Sequence, residues 1–217
     1  MNSLHIPYRK SFDDLPLEEV AQRLLKEGVV LSIDQVNWPR KYPDCPETKV
    51  FMAHDEQSLY ILFGVKGKQL RALAVEDQQA VWEDSCVEFF CQEFGEPYYM
   101  NFEVNCIGVM AAARRLGQNE GVNLLNAEEM HQIQRFSSLK KEKIEEKDGV
   151  FEWKVGISIP LRLICPDFDG FPLPLQANFY KCADGTKSPH FVSWQPIDLP
   201  QPLFHCPEFF GTIILDA

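Results

Sequence analysis

The sequence lacks the features that mark several large classes of protein. Its seven cysteines include no Cys-x-x-Cys pair, which argues against a zinc ribbon or a thioredoxin-like motif. It has no run of about 18 apolar residues that would cross a bilayer. Its first residues show no basic segment followed by an apolar stretch, so no signal peptide is predicted. Together with the unpaired cysteines, these absences favour a cytoplasmic, reducing location.

Positive charge is also scarce. The formal net charge is −11 and no Lys/Arg run offsets it locally, so the chain should repel both phosphate backbones and anionic membranes. We therefore expect no nucleic-acid partner and no membrane partner, whereas a neutral or cationic ligand remains compatible with the charge. No Gly-rich phosphate loop and no Ser/His/Asp order typical of hydrolases stands out. The five histidines are isolated, so no metal site is predicted.

The residues that are abundant favour β structure. Sixteen Phe and 15 Pro within 217 residues are typical of short strands joined by irregular loops. One helix is predicted over Asp13–Glu27, with Asp14 as its cap, Pro16 in its first turn and Gly28 at its end. Its apolar stripe consists of Leu17, Val20, Leu24 and Leu25.

Strand patterns dominate from Gly28 onward. A hairpin is predicted at Lys147-Asp148-Gly149, because Asp-Gly supplies the positive φ angles of a tight turn. The predicted strands are Val29–Ile33, Thr48–His54, Ser58–Lys66, Cys86–Gln92, Tyr98–Asn105, Gly108–Arg114, Lys140–Lys147, Val150–Ile159, Leu175–Cys182, His190–Trp194 and Gly211–Leu215. With no alternation of strands and helices, this predicts an all-β antiparallel sandwich. Residues 1–217 should form one domain, in which 1–28 are an N-terminal extension with the helix.

Polar side chains gather beside an aromatic residue on two successive strands. Trp82 precedes the strand that carries Glu88, and Asn101, Glu103 and Asn105 share one face of the next strand. If the strands pair, Glu88 lies near Asn101, Glu103 or Asn105. An indole ring stacks on the apolar face of a sugar, while carboxylates and amides hydrogen bond to its hydroxyls. A second aromatic wall is predicted at Trp194, near the C-terminus.

These motifs resemble family-9 carbohydrate-binding modules and their DOMON-like relatives. The resemblance implies an immunoglobulin-like β-sandwich in which Trp82 and Trp194 clamp the terminal sugar of a glucan or xylan chain, with Glu88 as an acidic hydrogen-bond partner. Family members hold structural calcium, but the sequence has no D-x-[DN]-x-[DN]-G loop, so calcium is not carried over. The matching motifs are Phe51-Met-Ala-His-Asp55, Leu59-Tyr60-Ile-Leu-Phe63, Val81-Trp82-x-Asp84-Ser85-x-Val87-Glu88-x-Phe90, Tyr99-x-Asn101-Phe102-Glu103-x-Asn105-x-x-Gly108, the Trp153 strand with Ile157-Ser-Ile-Pro160, Trp194, and Pro207-Glu208-Phe209-Phe210-Gly211-x-Ile213.

The sequence thus predicts a non-catalytic protein, without a cofactor, that binds an oligosaccharide or monosaccharide and is linked to carbohydrate catabolism. An unidentified glycoside hydrolase is a possible partner. Three alternatives stay open. The first alternative is a protein-interaction sandwich without a sugar site. The second is a glycoside hydrolase that uses Glu88 and Glu103. The third is a haem protein with axial ligands among Met100, Met110 and His190.

Overall fold

The computed structural model describes residues 3–10, 12 and 14–217, which form two facing β-sheets with few helices. No helix among them is both long enough and apolar enough to span a membrane. In chain order the elements are β1 Leu4–Ile6, α1 Leu17–Glu27, β2 Val29–Ser32, β3 Gln35–Val36, β4 Glu47–His54, β5 Ser58–Ala72, β6 Cys86–Glu93, β7 Tyr99–Asn105, β8 Met110–Arg115, β9 Asn123–Leu124, α2 Ala127–Gln132, β10 Gln134–Ser137, β11 Ile144–Pro160, α3 Leu161–Ile164, β12 Leu173–Cys182, β13 Phe191–Ser193 and β14 Gly211–Leu215. The predicted all-β sandwich is confirmed.

The first sheet carries the motifs that the sequence singles out. Its described strands run in the order β1-β14-β12-β6-β7-β8-β9, with β13 paired to β12 and β3 paired to β13. The second sheet has the order β10-β11-β5-β4-β2. The sheets pack through phenylalanines: the Phe179 ring lies 4.9 Å from that of Phe89 and 6.4 Å from that of Phe63 on β5. Because side chains alternate along each strand, the residues directly before and after Phe89 and Phe179 face away from the second sheet.

Helix α1 covers the outer face of the second sheet. Its buried side chains are Leu17, Val20, Ala21 and Leu24, which pack against Ala53, Tyr60 and Leu62. The helix begins at Leu17 with Pro16 as its N-cap and no side-chain cap bond, so the prediction of Asp14 as the cap is wrong. The start predicted at Asp13 falls outside the described residues. Leu25 is 37% exposed, and Ala21 takes its place in the apolar stripe.

Gly28 ends the helix because of a close contact and not because of an unusual φ angle. Its φ is −77°, but a Cβ at this position would lie 2.8 Å from the Leu24 carbonyl oxygen and 3.0 Å from that of Met52. We expect Gly28→Ala to lower the free energy of unfolding by about 1–3 kcal/mol, as overpacking does elsewhere. Urea denaturation measures this change. The control is Gly64→Ala, since nothing lies within 4 Å of a Cβ at Gly64; an equal loss in both variants would contradict the contact argument.

The predicted hairpin at Lys147-Asp148-Gly149 is wrong. Instead β11 runs without reversal from Ile144 to Pro160, and both halves pair with the long strand β5. The register shifts between Asp148 and Phe151, where Gly149 has a φ of 154°. Gly149 therefore lies within a bulge, where the missing Cβ permits this φ, and not in a hairpin turn.

Candidate functional site

A cleft of about 360 Å³ opens on the outer face of the first sheet, away from the core. Its floor comes from β6 and β7, and its walls come from four loops or strand ends that are far apart in the sequence. The lining residues are Trp82, Glu88, Glu103, Arg115, Gln118, Asn119, Asp184, Phe191, Pro202, Leu203, Phe204 and His205. Three of the predicted binding residues, Trp82, Glu88 and Glu103, thus lie in one cleft.

Trp82 presents its ring at the rim of this cleft. It belongs to a 3-10 turn, Val81–Glu83, in which Val81 is buried while Trp82 is 39% exposed. Its carbonyl oxygen accepts a hydrogen bond from the Asp184 amide at 3.0 Å. On the other side, the buried Asp84 carboxylate accepts bonds from the amides of Leu73 and Ala74 at 2.9 and 3.0 Å. These bonds fix the turn, so that an exposed aromatic ring is held in place by a well-bonded backbone.

Glu88 and Glu103 form the polar floor. The register of β6 and β7 sets Glu88 opposite Glu103, Phe90 opposite Asn101 and Cys86 opposite Asn105. Residues opposite each other in an antiparallel pair point to the same face. The structure therefore sets Glu88 directly beside Glu103, with Asn101 and Asn105 two residues away on the same face. Both carboxylates are only 3% exposed, so they meet solvent only through the cleft.

Burial leaves the cleft with unusually basic carboxylates. Burial raises the pKa of Glu103 to about 7, against the opposing effects of the Arg115 charge and of a bond from Asn101. It also raises the pKa of Asp184 to about 7, and the pKa of Glu88 well above its usual range, where the charge of Glu103 adds to the effect. Near neutral pH the cluster therefore holds both protonated and ionised carboxyls, which donate as well as accept hydrogen bonds.

The raised pKa of Glu103 predicts a stability that depends on pH. A carboxyl with a higher pKa in the folded chain contributes stability below its ordinary pKa of 4.5, and this contribution is lost as the pH rises through about 7. We expect the unfolding free energy of the wild type, minus that of Glu103→Gln, to fall by about 3 kcal/mol from pH 4.5 to pH 8. Urea titrations at several pH values measure this difference. The exposed Glu142→Gln is the control, and a flat difference for Glu103→Gln would contradict the shift.

The two predicted asparagines serve the fold and do not line the cleft. Asn101 donates from Nδ2 to Glu103 Oε1 at 3.0 Å and accepts from Arg115 Nε at 2.8 Å, so it positions both charged groups. Asn105 donates from Nδ2 to the Ala74 carbonyl and to Asp84 Oδ2, and its Oδ1 accepts from two backbone amides, those of residues 107 and 109. These bonds use its full hydrogen-bonding capacity, and Asn105 is not among the residues that line the cleft.

Trp194 lies on the opposite face of the sheet from the cleft. Ser193 pairs with Tyr180, and the Trp194 amide donates to the Phe179 carbonyl at 2.9 Å. The Trp194 ring packs edge to face against the core ring of Phe179, with centroids 5.7 Å apart. The predicted clamp between Trp82 and Trp194 is therefore not confirmed: Trp194 does not line the cleft, because a one-residue step along a strand moves a side chain to the other face.

Several cleft residues were missed by the sequence analysis. Phe191 could have been predicted from the alternation of side chains along its strand. Phe191 and Trp194 are three residues apart, so they point to opposite faces, and Phe191, opposite Cys182, faces the cleft. Arg115 carries no local signal, since only the fold brings it to Asn101. His205 lies 2.8 Å from the Tyr99 hydroxyl, and its Nε2 is 3.9 Å from Glu103 Oε1. Burial and the nearby Arg115 charge lower the pKa of His205 to about 4, so this ring is neutral near pH 7.

A larger cavity of about 730 Å³ lies at one end of the sandwich. Trp153, Lys181 and His190 line it, and the Lys181 ammonium donates to the Cys182 carbonyl at 2.6 Å and lies 2.8 Å from His190 Nε2. Trp153 is 2% exposed, so its indole is almost closed to solvent. This cavity therefore offers no open indole face, in contrast to the cleft beside Trp82.

Comparison with known proteins agrees with this architecture. A crystal structure of a proposed carbohydrate-binding protein from Bacteroides uniformis has 35% sequence identity and a TM-score of 0.92, covering 99% of each chain. Two structures of a family 9 module from Caldicellulosiruptor kristjanssonii share the fold over the whole of this chain. The complex with glucose has a TM-score of 0.63 at 13% identity and is covered to 96%, and the complex with cellotriose has 0.61 at 14% and is covered to 94%.

Sequence comparison gives the family directly. No curated protein sequence matches this chain significantly. The family model for carbohydrate-binding family 9, in contrast, matches residues 19–215, which include both sheets' central strands and every residue that lines the cleft. The chain therefore belongs to carbohydrate-binding family 9.

Proposed function

We propose that the cleft binds a neutral sugar without cleaving it. The observation that carries the proposal is the open indole face of Trp82 above the buried carboxyls of Glu88 and Glu103. The C–H face of a pyranose stacks on such a ring, while its hydroxyls bond to the carboxyls, to Arg115 and to the nearby amide side chains. The cleft volume of about 360 Å³ is within the range typical of small-ligand sites.

The second aromatic wall in this proposal is Phe191. Its ring is supported by that of Tyr42, with centroids 4.7 Å apart, and by that of Phe204 at 6.1 Å. Phe204 also lines the cleft and stacks on Tyr180 at 4.2 Å. Two supported rings and Trp82 thus surround the polar floor. A phenyl ring stacks on a sugar with less contact area than an indole, so Trp82 should carry most of the apolar binding energy.

The charge of the cleft selects among sugars. Glu88, Glu103 and Asp184 outnumber the single arginine, Arg115, in the cleft lining. A sugar acid would add a like charge to these carboxyls, whereas a neutral sugar uses them as hydrogen-bond partners. The related Caldicellulosiruptor kristjanssonii module is seen with glucose and with cellotriose. A terminal residue of a glucan or xylan chain is accordingly the proposed ligand, which would link the protein to carbohydrate catabolism.

The arrangement of the carboxyls favours binding over hydrolysis. Glycoside hydrolases place their two carboxyl groups on either side of the scissile bond. Glu88 and Glu103 are direct neighbours on adjacent strands of one sheet, so they share the floor of the cleft. In addition, Glu88 Oε1 is bound to the Cys182 thiol at 3.0 Å. Both carboxyls therefore meet a ligand from the same side.

Isothermal titration calorimetry tests the proposal. Glucose, cellotriose and xylobiose are titrated into the protein, with glucuronic acid as the charged comparison, and the recovered sugar is checked for cleavage. We expect saturable binding of a neutral sugar at micromolar or weaker affinity, weaker binding of the acid, and intact ligand. A folded protein that gives no heat with any sugar would favour the interaction-module alternative. Shortened oligosaccharides would favour the hydrolase alternative.

A further inference from the structure

Two cysteines and a glutamate meet beneath the floor of the cleft. Cys86 on β6 pairs directly with Cys182 on β12, and Glu88 lies two residues further along β6 on the same face. The two sulfur atoms and a carboxylate oxygen all lie within 4.8 Å of one another. All three residues are buried. Two thiols and a carboxyl at this spacing form a ligand set for a thiophilic divalent cation.

The distances are close to those of a metal site. The Cys182 Sγ is 3.0 Å from Glu88 Oε1 and 3.6 Å from the Trp82 carbonyl oxygen. Tetrahedral Zn²⁺, with Zn–S near 2.3 Å and Zn–O near 2.0 Å, separates a sulfur and an oxygen ligand by about 3.5 Å. A movement of about half an ångström therefore converts the thiol–carboxylate hydrogen bond into a pair of metal ligands. The Trp82 carbonyl oxygen lies close enough to supply the fourth ligand.

The surrounding charge also suits a divalent ion. Two thiolates and one carboxylate would carry three negative charges, so one Zn²⁺ would leave a single negative charge on the cluster. The Lys181 side chain lies close enough to act on both Cys86 and Glu88, and a positive charge there would offset the remainder. The ion would displace the protons of the metal-free ligands.

We propose that Cys86, Glu88 and Cys182 bind one Zn²⁺ ion beneath the cleft. Glu88 gives the ion a route, because its carboxyl lines the cleft while the thiols lie behind it. The ligands come from two strands that are about 90 residues apart in sequence, so the chain shows no zinc motif. The metal site shares Glu88 with the proposed sugar cleft, but its test uses metal ions without sugar, so the two proposals can fail independently.

Cobalt and zinc titrations of the full chain test the site. The reduced, chelator-treated protein is titrated with Co²⁺ and then with Zn²⁺. We expect one equivalent per chain, a thiolate-to-cobalt charge-transfer band that Zn²⁺ abolishes, and proton release on binding. Cys86→Ser and Cys182→Ser, which keep a hydrogen-bond donor, should each weaken Zn²⁺ binding at least about 100-fold. Cys91→Ser, at a buried thiol outside the cluster, and Cys45→Ser, at the exposed thiol, should leave it unchanged.

Two results would overturn the proposal. One is the absence of a charge-transfer band in the wild type. The other is a band that only Cys45→Ser removes, which would show adventitious binding at the surface thiol. If the serine variants fail to fold, the wild type alone decides the matter through alkylation mapping. Zn²⁺ should then protect Cys86 and Cys182 against modification under mild denaturant, while Cys45 stays reactive; equal reactivity with and without Zn²⁺ would contradict the site.

Discussion

Trp82→Ala is expected to weaken sugar binding at least about 30-fold, which corresponds to about 2 kcal/mol of lost stacking and apolar burial. The indole is partly exposed at the cleft rim, and the turn that holds it is bonded through backbone atoms and Asp84. The free energy of unfolding should therefore change by less than about 1 kcal/mol. Calorimetry with cellotriose and urea denaturation measure the two quantities on the same preparation.

Trp194→Ala is the matched control because it should give the reverse result. Its partly buried ring packs against the core ring of Phe179, so its removal loses this contact and should cost about 1–3 kcal/mol of stability. The protein that remains folded should bind the sugar with nearly unchanged affinity. Loss of binding in Trp194→Ala with unchanged stability would restore the two-tryptophan clamp and contradict the strand register that turns Trp194 away from the cleft.

Asp84→Ala is expected to lower the free energy of unfolding by about 3–5 kcal/mol. The buried carboxylate accepts bonds from the Leu73 and Ala74 amides and from Asn105 Nδ2, and its removal leaves all three donors without that partner. Asp84→Asn, which keeps one acceptor oxygen, should show a smaller loss. Urea denaturation measures both, with the exposed Asp148→Ala as the control. A loss under 1 kcal/mol for Asp84→Ala would show that the turn does not depend on this carboxylate.

The fold was largely predictable because the strands have strong local signals. The alternation from Phe151 to Ile159 gives one apolar face that meets the core, and β14 has the predicted bounds, Gly211–Leu215. The hairpin error at Asp148-Gly149 shows the limit of local signals. An Asp-Gly pair occurs in turns and in bulges, and only the continued pairing with the long strand β5 decides between them.

The site was predictable where it depends on neighbouring strands. Glu88 and Glu103 are close in sequence, and the alternation of two paired strands places them together. Asn105 shares that face, yet its amide nitrogen donates hydrogen bonds to Ala74 and Asp84, which lie in other loops. No local sequence pattern reveals these bonds. Trp194 was chosen for its residue type, because a tryptophan suits a sugar site. Its position in the strand, however, turns its ring toward Phe179 and away from the cleft. The walls come from loops whose meeting is a property of the whole fold.

The most direct test is an ¹H–¹⁵N spectrum of the tryptophan indoles during titration with cellotriose. The chain has four tryptophans, so four indole signals are expected, each assigned by a single substitution. The Trp82 signal should shift saturably, while those of Trp153 and Trp194 stay in place, because Trp153 is buried in the core and Trp194 packs against the core away from the cleft. A shift of the Trp194 or Trp153 signal with Trp82 unmoved would contradict the account and place the sugar elsewhere in the molecule.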